Sequence, residues 1–345
     1  MIELKNDQLR FSFPDVHPQA GLTVSFQRTL RIPDDGRTYP LPPGLGSFPT
    51  RHVDDYSNQV PESWIEHGGV MLPMYQSEAM WIRFKGNMVL GQGTYPFAVR
   101  ILTGKIDAVT GEEYVAGFRR NPQNYVVAPH QPWIDGYCVS KGVVRQFVAM
   151  PLGGGYTAEE QITGSAEHGG VQIVVCPMKR EAFDRYFAKR EYEVVSSHRL
   201  KRKAGADFEC LESRSQMGIA PGGKIKQQIY ADSFATEDWD EQQIGKCFVH
   251  IANSQSWRQI THSAPPTKPF TAKAYTNAGL PWFDYYDDQL DTVDTQESLQ
   301  RLLSVNTLKH LWHGKKLSGN KSCDPKLVIA VRNGLRKDQV RETNF

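Results

Sequence analysis

The residues best suited to chemistry lie in two copies of one five-residue segment. Glu66–Val70 and Glu167–Val171 both read EHGGV, and each is followed by an apolar run and then a Pro-Met pair. Each copy places a carboxylate beside an imidazole, and two such pairs that face each other are typical of an acid–base pair or a metal site. The catalytic candidates are therefore Glu66, His67, Glu167 and His168.

The same repeat has a structural interpretation. Neighbouring residues of a strand point to opposite faces, so the spacing also fits histidines that hydrogen-bond the adjacent turn. The repeat favours an internal duplication with a period of about 100 residues, the size of one β-sandwich domain. Chance reuse of a Gly-Gly turn before a strand is the alternative, because glycine accepts a positive φ. Duplication predicts that both copies begin a strand after a turn, in equivalent positions.

A weaker motif for metal binding is His52-Val53-Asp54. If this segment is a strand, His52 and Asp54 share one face at a workable ligand spacing, whereas exposed turn residues are the alternative. The sequence has no Walker loop, no GxSxG elbow and no HExxH helix. We therefore expect no cofactor.

Aromatic side chains alternate with polar ones in two segments, 129–137 and 281–288. This mixture suits a surface that stacks on flat apolar faces and hydrogen-bonds polar edges, as sugars, peptides and protein partners require. Core aromatics at strand ends are the alternative. Because side chains alternate along a strand, the four aromatic residues of 281–288 cannot all be buried on one face. The ligand-binding candidates are Trp133, Asp135, Tyr137, Trp282, Tyr285 and Tyr286.

The balance of charge argues against a nucleic-acid-binding protein. The 345 residues include 40 Lys and Arg against 38 Asp and Glu, whereas nucleic-acid binders usually show a clear basic excess. Charge is concentrated in a basic segment, 179–203, and an acidic segment, 284–300. These segments suit attraction between copies of the chain, and two solvated faces are the alternative.

Cysteine usage and hydropathy indicate a cytoplasmic protein. The five cysteines are widely spaced and form no CxxC pair, so we expect most thiols to be reduced and buried. The N-terminus lacks a basic region followed by an apolar stretch, although export without a signal leaves no such mark. No run approaches the ~18 apolar residues that cross a bilayer, which predicts a soluble chain with no membrane span.

About a dozen alternating apolar runs, joined by short turns, predict a mainly β fold with a minor α component. A β-sandwich or barrel-like architecture fits, with two related β-rich halves, 1–165 and 166–345, as one arrangement and a single domain as the other. Prolines and glycines in 33–49 predict an extended arm. Peripheral helices are expected near 179–190 and 294–314, the second capped by Asp294 and ended by Gly314.

These observations favour a non-catalytic binding or assembly protein. It would use aromatic and acidic surface loops to bind a protein, a carbohydrate or its own copies, as a homo-oligomer. The alternative is a hydrolytic or metal-assisted enzyme on a β scaffold, using His67, His168 and the acids around Asp54.

Overall fold

The computed structural model describes residues 1–187, 216–286 and 290–332. The first twelve strands are β1 (Ile2–Lys5), β2 (Gln8–Ser12), β3 (Gly21–Thr29), β4 (Thr38–Tyr39), β5 (Gly44–Ser47), β6 (Arg51–His52), β7 (Val70–Met74), β8 (Ala79–Gly86), β9 (Met88–Val89), β10 (Gly93–Thr94), β11 (Phe97–Thr103) and β12 (Ile106–Asp107). The others are β13 (Val126–Ala128), β14 (Trp133–Ile134), β15 (Gly136–Ser140), β16 (Val143–Pro151), β17 (Val171–Pro177), β18 (Gln216–Lys226), β19 (Gly245–Asn253), β20 (Trp282–Tyr286) and β21 (Val328–Arg332).

The helices are short and lie between these strands. They are α1 (Glu62–His67), α2 (Ala158–Thr163), α3 (Arg180–Tyr186), α4 (Ser254–Thr261), α5 (Ala272–Asn277), α6 (Glu297–Gln300) and α7 (Val305–His313). Within the described ranges, no helix has the length and apolar character needed to cross a bilayer.

The predicted mainly β fold is confirmed. Seventeen strands form one large sheet, while β9 with β10 and β20 with β21 form two separate pairs. Most pairs are antiparallel, and β4 with β18 and β7 with β19 are parallel. Strands from before and after residue 165 pair with one another, as β16 does with β18 and β11 with β17. Among the described strands the pairing does not close into a ring.

Alternation of residue types decides which side of each strand faces the core. In β3, Leu22, Val24 and Phe26 are buried, and the residues between them are hydrophilic. In β8, Ile82 and Phe84 are buried in the same way. A strand with this pattern covers the core on one face and leaves the other face open to ligands or solvent.

Other strands are apolar on both faces because they are covered on both. β7 and β11 are buried along their whole length, and six of the seven residues of β17 are buried. The Pro/Gly arm predicted over 33–49 contains β4 and β5, which add to β18 and β3. Past β4, the backbone N–H groups of Leu41 and Phe283 each donate to the other residue's carbonyl, and this holds β20 in place.

The helix predicted over 294–314 is two helices, and the proposed cap is wrong. Gln296 precedes α6 and Ser304 caps α7, where Ser304 Oγ accepts a hydrogen bond from the Thr307 backbone N–H at 3.1 Å. The predicted end at Gly314 is confirmed, since its φ of 63° is one that glycine accepts readily. Residues 188–215, with most of the basic segment, the strand predicted over 208–211 and Cys210, lie outside the described residues.

Candidate functional site

The most extensive candidate site is the hydrophilic face of β2, β3 and β8. Pairing across the sheet places residues of one face in rows. One row is Glu3–Arg10–Thr23–Lys85, and the next contains Ser25–Arg83–Trp133. A third row is Ser47–Gln27–Trp81. We call this surface the open sheet face.

The open sheet face carries several cations that form no ion pair with a described residue, and Glu3 is an acidic residue in the same row as Arg10. None of Arg10, Arg83 and Lys85 forms an ion pair with a residue that the structure describes. Arg10 Nε is buried and has no hydrogen-bond partner in the described part of the chain. A cavity of about 600 Å³ opens beside these three side chains. A buried guanidinium N–H without an acceptor is costly, so this cavity is suited to an anionic or hydroxyl-bearing ligand.

Three partly exposed aromatic residues stand at one end of the open sheet face. The ring centroids of Trp81 and Trp133 are 6.0 Å apart in an edge-to-face arrangement, and those of Trp133 and Tyr285 are 4.7 Å apart. Tyr285 belongs to β20, where the neighbouring Asp284 Oδ2 pairs with the Lys226 ammonium of β18 at 2.8 Å. We call Trp81, Trp133 and Tyr285 the aromatic cluster.

Asp135 supports the aromatic cluster from inside the protein. Gln227 Nε2 donates to Asp135 Oδ2 at 2.8 Å, and the Asp135 backbone N–H donates to Gln227 Oε1 at 2.9 Å. Burial raises the pKa of Asp135 to about 7. Its hydrogen bonds with the Trp133 and Gln227 side chains act in the other direction and lower the pKa. Asp135 is 2% exposed, so it is inaccessible in this structure and its role in ligand binding stays a prediction.

Two of the predicted ligand-binding residues belong to the core. Tyr137 is fully buried, and its hydroxyl donates to the Ile219 carbonyl at 3.1 Å. Trp282 is also fully buried, with Nε1 donating to Thr276 Oγ1 at 3.2 Å. Both rings are therefore inaccessible in this structure, and their role in ligand binding stays a prediction. The side chain of Tyr286 lies outside the described residues.

The repeated histidines form a second candidate site. The ring centroids of His67 and His168 are 6.3 Å apart, and a third histidine, His250, lies 6.1 Å from His67. Phe248 stacks on both His67 and His250, with centroid distances of 4.6 and 4.3 Å. On the other side, Trp64 stacks on His250 at 4.6 Å. We call these five residues the histidine cluster.

The histidine cluster is built largely from neutral, hydrogen-bonded groups. His250 Nε2 donates to the Gly68 carbonyl at 3.0 Å, and burial lowers the pKa of His250 to about 4. Burial also lowers the pKa of His168, with Lys105 contributing in the same direction. At neutral pH the two histidines with lowered pKa values are therefore uncharged, which suits packing in an aromatic cluster.

A buried carboxylate fixes the second copy of the repeat. Glu159 accepts hydrogen bonds from the backbone N–H groups of Glu167, His168 and Gly169 at 2.9, 2.8 and 2.8 Å. These donors form a concave anion site of the kind that stabilises an oxyanion. Because the protein's own carboxylate fills it, the loop is held in shape by Glu159 and has no donor left for a substrate.

The acidic members of the predicted catalytic set do not join the histidine cluster. Glu66 and Glu167 are exposed. Among the described residues, the one ion-pair contact between these acids and the histidine cluster is the 3.8 Å between Glu167 Oε2 and His168 Nε2. The predicted strand geometry for His52 and Asp54 is wrong, because His52 is in β6 and Asp54 is in the 3-10 turn that follows. Within the described ranges no three His, Cys, Asp or Glu side chains could hold a metal ion.

The two EHGGV segments meet on the same strand but differ in geometry. Each copy leads into a strand through two glycines with positive φ, Gly68 and Gly69 before β7 and Gly169 and Gly170 before β17, but the predicted equivalence of their positions is not supported. Val70 and Val171 both pair with Val249 of β19, yet β7 runs parallel to β19 and β17 antiparallel. Glu66 and His67 end a helix, whereas Glu167 and His168 lie in a loop. These differences leave the duplication without structural support.

Sequence reasoning missed most of the open sheet face. The residues predicted from sequence do not include Trp81, Arg10, Arg83 or Lys85 of this face. They also do not include His250, the third histidine of the histidine cluster. The sequence signal for this face is the alternation of polar and apolar residues in 21–29 and 79–86. That signal identifies each strand but not its neighbours, and the face exists only when the strands are paired.

Comparison of this chain with protein-family models, with curated proteins and with solved structures found no match. Its function is therefore inferred from the geometry of the two candidate sites.

Proposed function

We propose that this chain is a non-catalytic binding protein whose open sheet face holds an acidic carbohydrate. The observation that carries the proposal is the set Arg10, Arg83 and Lys85, which form no ion pair with a described residue and lie on the same face as the aromatic cluster. Guanidinium and ammonium groups bind the carboxylates or sulfates of such a sugar, and partly exposed tryptophans stack on its rings.

The neutral side chains of the open sheet face favour a carbohydrate over a nucleic acid. Thr23 supplies a hydroxyl group between Arg10 and Lys85, and Gln27 and Ser47 supply amide and hydroxyl groups in the row of Trp81, where Gln27 Nε2 donates to Ser47 Oγ at 2.8 Å. Sugar hydroxyls require many such partners, whereas a phosphate backbone is bound mainly by cations. The formal charge of the whole chain is only +2.

Titration calorimetry with defined oligosaccharides tests this proposal. An oligogalacturonate should bind, its affinity should fall as salt is added, and a neutral cello-oligosaccharide of equal length should bind more weakly. The double variant R83A/K85A should weaken binding about tenfold or more, equivalent to about 1.4 kcal/mol. Both side chains are exposed, so the variant should fold normally.

The matched control is K141A/K273A, which removes two exposed lysines that do not line the cavity. It should bind the oligogalacturonate as the unaltered protein does. Equal affinity for acidic and neutral sugars would contradict the proposal, as would unchanged binding by R83A/K85A. Tighter binding of single-stranded DNA of matched length would assign the open sheet face to nucleic acid instead.

A second candidate function is hydrolysis assisted by the histidine cluster. The supporting observation is the approach of His67 and His168, of which His67 is exposed and His168 partly exposed. A screen of ester and phosphoester substrates tests it. An activity that His67→Gln and His168→Gln both abolish, and that R83A/K85A leaves unchanged, would favour catalysis. The same activity in all variants would exclude this role for the two histidines.

A further inference from the structure

A second cavity, separate from the open sheet face, has the composition of a small-molecule site. Its volume is about 280 Å³, and it shares no lining residue with the first cavity. It lies where the C-terminal end of β3 meets the turn between β7 and β8, at Thr29 and Ser77. Two segments distant in sequence, 268–271 and 318–319, complete its walls.

The lining of this cavity has an excess of positive charge. Among the described residues that line the cavity, Glu78 is the one acidic residue. Glu78 Oε1 accepts a hydrogen bond from Arg28 Nε at 2.9 Å. That pair is almost fully buried, with side chains 9% and 1% exposed. Arg31 and Lys268 also line the cavity, and neither lies within ion-pair distance of a described carboxylate. Both cations therefore keep their N–H donors available to a ligand, while Asp34 acts on Arg31 and Glu78 on Lys268 only at longer range.

Arg31 is held at the cavity wall in a defined position. Its Nη2 group donates to the Ser318 carbonyl, and its other N–H donors make no hydrogen bond with a described residue. Burial lowers the pKa of Arg31 to about 10, so the guanidinium stays charged at neutral pH. A fixed guanidinium with free donors is suited to bidentate binding of phosphate oxygens.

The cavity also has an exposed ring among its lining residues. Phe270 lines the cavity and is 73% exposed, which is unusual for a side chain of that size. The Ser77 and Thr271 hydroxyls lie in the same lining. A flat ring that stacks on Phe270 would cover this apolar surface.

We propose that this cavity binds a phosphate monoester that carries a flat ring, of the size of a nucleoside monophosphate. Arg31 and Lys268 neutralise the phosphate, and Phe270 stacks on the ring. A phosphate monoester carries a charge of about −1.5 to −2 at pH 7, which matches the two unpaired cations better than a carboxylate does. This site is independent of carbohydrate binding on the open sheet face.

Titration calorimetry with adenosine 5′-monophosphate, inorganic phosphate and adenosine tests the proposal on the full chain. The monophosphate should bind about tenfold or more tightly than either part alone, because charge pairing and stacking then act together. Lys268→Ala should weaken both the monophosphate and inorganic phosphate, whereas Phe270→Ala should weaken the monophosphate and adenosine but not inorganic phosphate. Both side chains are exposed, and thermal melting confirms that the variants fold.

Matched controls are Lys141→Ala for the charge and Leu311→Ala, an exposed apolar residue, for the ring. Both should bind the monophosphate normally, and so should R83A/K85A, which separates this site from the open sheet face. The proposal is overturned if adenosine 5′-monophosphate binds no better than phosphate, or if Lys268→Ala leaves its affinity unchanged.

Discussion

Three buried carboxyl groups show how much the identity of a partner matters at the scale of one residue. Glu78 and Asp107 each pair with a buried arginine, Arg28 and Arg100, while Asp135 has the neutral partners Trp133 and Gln227. Burial raises the pKa of Glu78 to about 7 and that of Asp107 to about 6, with the arginine opposing the rise. Asp135 has no such cation, so its proton is what makes burial tolerable.

The titration of Asp135 gives a prediction with a definite sign. Folding raises its pKa from 3.8 to about 7, so the folded chain binds more protons than the unfolded chain between these values. The stability this proton contributes is fully present below pH 3.8 and is lost as the pH rises through 7. Asp135→Asn does not titrate, so its free energy of unfolding, relative to the unaltered protein, should rise by up to about 4 kcal/mol across that window.

Urea denaturation at several pH values between 4 and 8 measures this difference. Asp15→Asn, which replaces a carboxyl by an amide at an exposed position, is the control for the substitution itself. A difference for Asp135→Asn that does not change with pH would show that this carboxyl is ionised in the folded chain.

At the scale of elements, alternation in the sequence predicts strands well and their neighbours poorly. The alternating residues of β3 correctly indicate which side faces the core, but its neighbours are β2, β5 and β8. Nothing local in 21–29 specifies the pairing with 79–86, so the rows of the open sheet face could not be predicted. Local signals also compete: Asp294 and Ser304 are both good capping residues, and the chain uses Ser304.

The burial of Trp282 in β20 determines the expected effect of removing its ring. Trp282→Ala deletes a fully buried side chain that packs near Tyr39 and Tyr275, so it should lower the free energy of unfolding by about 3–5 kcal/mol. Thermal and urea denaturation measure the loss. The control is Trp312→Ala, which removes a ring that is 48% exposed and should cost much less. Equal losses in the two variants would contradict the burial of Trp282.

For the molecule as a whole, the thiols report on both burial and redox state. Cys138, Cys176, Cys247 and Cys323 are free and buried, and Cys210 lies outside the described residues. Burial raises the pKa of all four, to about 12 for Cys138 and Cys247. A thiol with so high a pKa supplies little thiolate, which is the reactive form.

Titration with a thiol reagent should therefore find these four groups unreactive in the native protein and reactive in denaturant. The same protein treated with a reductant first is the control for pre-existing oxidation. Two or more disulfides in the untreated native protein would contradict this prediction and, with it, the expected cytoplasmic location.

The position of β19 between β7 and β17 has a consequence for protein synthesis. β19 supplies one neighbour to each of these strands, and it comes from residues 245–253. A nascent chain that has just completed β17 still has to add about 70 residues, which takes roughly 4–14 seconds at ribosomal speed. Throughout that interval β7 and β17 each lack the neighbour that β19 provides, and their unpaired edges can associate with other nascent chains. A lower growth temperature or additional chaperone should therefore raise the yield of folded protein. Fragments that end before residue 245 should aggregate.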